Sequence, residues 1–388
     1  MRFEFATAAR IIFGSGTIQE VAPLGAELGG RAFIVTGRSS ERAKPLLVQF
    51  KKHGVKCVTF HVAGEPTTTL VKEAMKKARL AQSDMVISIG GGSVLDTGKV
   101  IAVMLTNRGD LEDYLEVVGL GKPLAKSPVP HIAVPTTAGT GAEVTRNAVL
   151  AVPEHRVKVS MRSPLMLPHL AVVDPVLTHS MPPVLTARTG LDALTQLIEP
   201  YVSNEANPLT DSICREGLKR VGRSLRQAYE DGSNLSARED MALASLFSGL
   251  ALANAKLGAV HGLAGPLGGM ICAAHGLICA RLLPYVMAAN VQALQSHKTD
   301  SPALTRYDEI AQTLTGKVTA QAVDGVKWVK GLCAAFKLSS LDEFGLKEQN
   351  FRIIAAKARK SSSMKGNPIA LTDDELMEIL KKATKQIV

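Results

Sequence analysis

The chain has 388 residues, a length that suits two domains better than one core. Its net charge of +10 is spread along the sequence and aromatic residues make up only 4%, so there is no base-stacking platform and no nucleic-acid partner is expected. A mildly basic surface instead suits an anionic small molecule.

The opening stretch, MRFEFATAARIIFG, has no long apolar core and does not read as a secretion signal. RAFIVTG (31–37) reads as a buried strand by its length and β-branched content, and ERAKPLLVQFKKHG as a helix ending near Gly54. VKCVTFHV is a second strand, TTTLVKEAMKKARLAQ a helix, DMVISIG a third strand and SVLDTGKVIAVML a further helix. PHIAVP and LAVVDP complete the series of strands. Strands alternating with helices predict an α/β N-terminal doubly wound parallel sheet, Rossmann-like, covered on both faces. After Asp174 the strands stop. Helices are expected over 186–203, 208–228, 237–263, 275–293, 305–314 and 319–336, with a final helix opening at Thr372 on a capping box closed by Glu375. The predicted division is a dinucleotide-binding α/β domain over 1–179 and an all-helical metal and substrate domain over 180–388. The longest apolar stretch, 241–260, carries Ser245, Ser248, Asn254 and Lys256 and reads as a buried helix, not a membrane span. The five cysteines form no CxxC pair and fit a reducing, cytoplasmic compartment.

Two loops carry the chemistry of the first half. In ISIGGGSVLDTGK, Gly90, Gly91 and Gly92 follow a strand and precede a helix, with Ser93 expected as the N-cap. The free N–H groups and dipole of that helix suit a pyrophosphate. In VPTTAGTGAEVT, Thr136, Thr137, Thr140 and Thr145 supply hydroxyls just past another strand end, where ligands of such sheets bind. Two such loops fit one extended ligand, and a dinucleotide is the natural candidate. In the second half, GLDALTQLIEPYVS puts Asp192 and Gln196 one helical turn apart.

With GGGSVLDTGK, PTTAGTGAEVT, DPVLTHSMPP, TGLDALTQLIEPYVSNEANPLTD and HGLAGPLGGMICAAHG in this order, the chain resembles the iron-containing (group III) alcohol dehydrogenases along nearly its whole length. The resemblance implies NAD(P)-dependent interconversion of an alcohol and an aldehyde or ketone, assisted by a metal. It implies pyrophosphate binding at Gly91, Gly92 and Ser93, nicotinamide contacts from Thr136, Thr137, Thr140 and Thr145, and a cofactor contact from Lys158. The family's metal ligands, an aspartate and three histidines, fall on Asp192, Gln196, His261 and His275, so one imidazole is replaced by an amide. A histidine that relatives often carry four residues after the first of the late pair is Gly265 here. A glutamine carbonyl is a neutral oxygen donor acceptable to Fe²⁺, Zn²⁺ or Mn²⁺, and three protein ligands already suffice for a catalytic metal. In a metal-free enzyme His261 and His275 would polarise the carbonyl directly. Relatives that prefer NAD tend to carry an acidic residue after the first strand. Gly37 stands there, and Arg38, Ser39 and Ser40 could hold a 2′-phosphate, so NAD and NADP are both open and NADP is favoured. The expected partners are a small-molecule alcohol or carbonyl and other copies of the chain, with no membrane. The competing readings are a maleylacetate-reductase-type enzyme, a lyase of the dehydroquinate-synthase type and a metal-less dinucleotide-binding relative.

Overall fold

The computed structural model describes residues 2–38, 41–155 and 157–387. The chain forms two compact units, one over 6–179 and one over 180–388 with 1–5.

The first unit contains β1 (Arg10–Phe13), α1 (Val21–Leu28), β2 (Arg31–Thr36), α2 (Lys44–Lys52), β3 (Lys56–His61), α3 (Thr68–Leu80), β4 (Met85–Gly90), α4 (Gly92–Met104), β5 (His131–Pro135), β6 (Asn147–Val152), β7 (Val157–Arg162) and β8 (Leu170–Val173). Six strands form one parallel sheet in the order β1-β8-β5-β4-β2-β3. Side chains alternate across each strand, so β2 divides its apolar run between two cores. Phe33 and Val35 pack with Val71 of α3 and Val100 of α4. Ala32 and Ile34 pack with Val21 of α1 and with Leu46 and Phe50 of α2. Burial on both faces explains the continuous apolar spelling of these strands.

The neighbours β2 and β4 send their following helices to opposite faces, α2 to one and α4 to the other. Their C-terminal ends therefore flank the point where the chain winding reverses, the usual ligand crevice of such sheets. Gly37 leaves β2 and the glycine turn leaves β4 at this point.

Strand β1, helix α1 and the hairpin β6–β7 of this unit were not read from the sequence. Strand β1 is a four-residue edge strand, too short to show a period. The antiparallel hairpin β6–β7 forms a sheet of its own, and its buried residues Leu150 and Val159 join the core against α4.

The second unit contains α5 (Pro183–Val202), α6 (Pro208–Glu230), α7 (Leu235–Asn254), α8 (Ala259–Met270), α9 (His275–His297), α10 (Pro302–Thr315), α11 (Ala322–Ala335), α12 (Phe351–Arg359) and α13 (Asp373–Ala383). The capping box of Thr372 and Glu375 opens α13 as the sequence indicated. The single helix expected over 237–263 is in fact two, α7 and α8, meeting at a bend of 95°. The break lies at Gly258, where a Cβ would come within 2.9 Å of Glu199 Oε1 and Asn367 Oδ1. Only a glycine lets the backbone approach these acceptors. They take the free N–H groups at the start of α8, Val260 N to Glu199 Oε1 at 2.7 Å and Ala259 N to Asn367 Oδ1 at 3.0 Å. Helix α9 is long and apolar enough to cross a membrane, but most of it is buried inside this unit.

Candidate active site

The glycine turn has the geometry of an anion cradle, with one correction. The N-cap of α4 is Gly91, in extended backbone, and Ser93 lies inside the first turn. No side chain caps this end, so its N–H groups lack the usual internal partner. The second loop lies directly against it. A Cβ on Gly91 would meet Thr137 Oγ1 at 3.3 Å, and one on Gly92 would meet Thr140 Cγ2 at 2.9 Å. Gly37 is the third wall, since a Cβ there would lie 3.9 Å from Val94 of α4. Gly37, Gly91, Gly92, Ser93, Thr137 and Thr140 are thus brought together, all partly exposed.

The remaining predicted residues of this half sit differently. Thr136 is buried, and its N–H donates to Gly90 O at 2.9 Å, tying the two loops together. Thr145 is buried and its hydroxyl accepts from Lys99 Nζ at 2.7 Å. Lys99, wholly buried, also donates to Asn147 O at 2.8 Å, so it pins the loop from below. Lys158, on β7, is paired with Glu65 at 2.7 Å. Arg38 is exposed and donates to Ala63 O at 3.3 Å. Ser39 and Ser40 lie outside the described residues.

The helical unit gathers a second constellation. Asp192 on α5, His261 on α8 and His275 and Cys279 on α9 each turn a donor atom into one pocket, all within 4.8 Å of one another. Asp192 Oδ1 lies 3.7 Å from His261 Nε2 and 3.8 Å from His275 Nε2, and it is buried without a hydrogen-bond partner. A buried carboxylate oxygen left bare is costly unless something positive binds it. Cys279 Sγ lies 3.5 Å from His275 Nε2 and 3.9 Å from His261 Nε2.

The electrostatics of the pocket favour positive charge. Burial alone would raise the Asp192 carboxyl, but the His275 and His261 imidazoles outweigh it and hold the group below its ordinary value. Burial opposes charge on His261, yet Cys279, Glu199 and Asp192 together raise it well above the ordinary histidine value. His275 is pushed up to about 9, chiefly by the Cys279 sulfur, with burial pulling the other way and Asp192 adding to the rise. In both cases the pocket stabilises the protonated, cationic imidazole.

Gln196, the fourth predicted ligand, is buried one turn after Asp192. Its side-chain oxygen lies 2.9 Å from Ser248 Oγ, a hydroxyl that also approaches Ser245 O at 2.8 Å. Two residues of the pocket escaped sequence reasoning, Cys279 and Glu199. Cys279 follows His275 by one helical turn, a spacing that could have revealed it. Gly265 faces open space, since a Cβ there would meet nothing within 4 Å.

The family model described as iron-containing alcohol dehydrogenase matches residues 8–175, and the one for the C-terminal part of the Fe-containing alcohol dehydrogenase family matches 186–384. The chain belongs to the iron-containing alcohol dehydrogenase family. It is 36% identical to a 1,3-propanediol dehydrogenase of Klebsiella pneumoniae, over 96% of each chain. It is 32% identical to an NAD-dependent methanol dehydrogenase of Bacillus methanolicus, over 96% of this chain and 97% of the other. The solved structure of the alcohol dehydrogenase from Oenococcus oeni superposes with a TM-score of 0.89 at 34% identity, covering 98% of this chain and all of that one. Membership carries the family's reaction, the interconversion of an alcohol and a carbonyl compound by hydride exchange with a nicotinamide dinucleotide, and its use of a divalent metal. The reductase, lyase and binding-protein alternatives are not favoured.

Proposed function

We propose that this dehydrogenase acts on a small alcohol or its aldehyde or ketone, binding the dinucleotide at the α4 turn and a divalent cation at Asp192, His261 and His275. One observation carries the metal half of the reading: Asp192 Oδ1 is buried, has no hydrogen-bond partner and faces two imidazole nitrogens. The donors present, a carboxylate and two imidazoles, fit Fe²⁺, Zn²⁺ or Mn²⁺. When bound, the metal supplies a positive charge that lowers the pKa of the alcohol, and the nicotinamide supplies the hydride acceptor.

The chain's own residues do the rest. Glu199 Oε2 accepts from His261 Nδ1 at 2.6 Å, which fixes the ring and leaves Nε2 as the donor atom. The α4 turn offers its uncapped N–H groups to the pyrophosphate, with Ser93 beside them. Thr137 and Thr140 line the cradle next to Gly91 and Gly92. Thr136, Thr145 and Lys158 act on the ligand by holding the loop and the hairpin in place. With glycine at 265 and open space beside it, no side chain at that position takes up the proton released on oxidation. Gly37 places no carboxylate against a 2′-phosphate and Arg38 supplies a cation nearby, which supports use of NADP as well as NAD. Five unpaired cysteines support a reducing, cytoplasmic setting, and we infer a homo-oligomer.

The test is a panel of primary and secondary alcohols and their carbonyl partners, followed through NAD(P)H absorbance with each cofactor. Turnover that tracks metal content supports the reading. Turnover of no redox substrate with either cofactor opposes it.

A further inference from the structure

The resemblance implies a donor set of an aspartate and three histidines, and the position it implies for the histidine on α5 is Gln196 here. We propose that Cys279 supplies the missing fourth donor, so that the metal is held by Asp192, His261, His275 and the Cys279 sulfur, with Gln196 outside the first coordination sphere. The inference rests on the metal reading above.

Three observations carry it. The first is position. Asp192 and Gln196 are one turn apart on α5, and His275 and Cys279 are one turn apart on α9. The donor lost from one helix is regained on the other at the same spacing, so the count of four is kept. The second is distance. A tetrahedral metal with bonds of about 2.0–2.3 Å to N, O and S sets its donors roughly 3.3–3.6 Å apart. The distances across this pocket are 3.5 Å from Cys279 to His275, 3.9 Å from Cys279 to His261, and 3.7 and 3.8 Å from Asp192 to the two imidazoles. These four separations are close to the edges of a tetrahedral site, all four donor atoms lie within 4.8 Å of one another, and Asp192 Oδ1 has no hydrogen-bond partner. The third is the alternative donor. Gln196 Oε1 accepts from Ser248 Oγ on α7 at 2.9 Å, so the amide oxygen already has a neutral hydrogen-bonding partner.

A thiolate changes which metal the pocket prefers. Sulfur is a soft donor and moves selectivity from Fe²⁺ and Mn²⁺ toward Zn²⁺. Binding takes up the sulfur as thiolate, and its proton goes to solvent. No electron is transferred.

The experiment is optical. Full-length protein stripped of metal is loaded with Co²⁺, which reports sulfur ligation through intense near-ultraviolet charge-transfer absorption, and Zn²⁺ affinity is measured by chelator competition. One cobalt per chain is expected, with the charge-transfer band present in the wild type and in Cys272→Ser. Cys272 is the exposed thiol nearby in sequence and serves as the control. Cys279→Ser should still take up cobalt without the band, and bind Zn²⁺ more weakly by more than about 10-fold, the lower end of what losing an outer-sphere partner costs. Adding Gln196→His to Cys279→Ser should recover the affinity and not the band, because it restores the family's donors. Cobalt bound by the wild type without the band overturns the assignment of Cys279 and leaves the metal reading standing. A wild type that takes up neither cobalt nor zinc overturns both.

Discussion

Glu199 binds His261 on one side and the start of α8 on the other. Its Oε2 accepts from His261 Nδ1 at 2.6 Å and its Oε1 accepts from Val260 N at 2.7 Å. One buried carboxylate therefore sets the tautomer of a metal-facing imidazole and fixes the helix that carries it. Glu199→Gln keeps the shape and removes the charge. It should weaken metal affinity by about 10–100-fold, read by chelator competition, with the far-ultraviolet circular dichroism unchanged.

The phosphate cradle is tested at its glycines. Gly91→Val places a branched side chain against Thr137, where even a Cβ would lie at 3.3 Å, and inside the turn proposed to receive the pyrophosphate. Cofactor binding, followed by fluorescence titration, should be lost while the fold is retained. Gly92→Ala should also weaken binding, because its Cβ would meet Thr140 at 2.9 Å and displace that loop. Unchanged affinity in both variants would contradict the cradle.

Cofactor choice is tested at Arg38. An exposed arginine beside a carboxylate-free position matters only to a ligand carrying an extra phosphate. Arg38→Ala should raise the KM for NADP by roughly 10-fold and leave that for NAD within about 2-fold, as expected for one charge-assisted contact. Equal effects on both would contradict a role in binding the 2′-phosphate.

Glu143 provides a pH signature of the first unit. Burial pushes its carboxyl up to about 7, against the pull of a backbone hydrogen bond and Lys99, and one of its oxygens has no hydrogen-bond partner. The folded value exceeds the ordinary value of 4.5. Between these two values the folded state keeps a proton that the unfolded state releases, so this group's contribution to stability falls as pH rises through that window and levels off above about 7. Glu143→Gln should unfold at nearly the same urea concentration as wild type near pH 4.5 and be the more stable protein by up to about 3 kcal/mol above pH 7. A constant difference across that window would contradict the buried, protonated carboxyl.

The alternating strands and helices of the first half were legible because burial on both sheet faces writes β2, β4 and β5 as continuous apolar runs. The capping box at Thr372 was legible because its two partners are local. Strand β1 was not, since its identity comes from pairing with β8, about 160 residues away. The break between α7 and α8 was hidden for the same kind of reason, because Gly258 is required by an approach to Glu199 and Asn367 that only the folded chain makes. In the site, Asp192, His261 and His275 came from motif register and the structure gathers them in one pocket. Glu199 is set by its contacts with α8, which the sequence does not show, while Cys279 was signalled only by its one-turn spacing after His275.

Metal-assisted hydride transfer is expected at the pocket around Asp192. Its most direct measurement is metal content and steady-state NAD(P)H turnover, made side by side on wild type, on the chelator-stripped protein and on Asp192→Ala. Turnover should fall in proportion to metal removed, return when Zn²⁺ or Fe²⁺ is restored, and not be restored in Asp192→Ala, which lacks the proposed carboxylate ligand. Full turnover by a wild-type protein containing no metal and indifferent to chelator would contradict it.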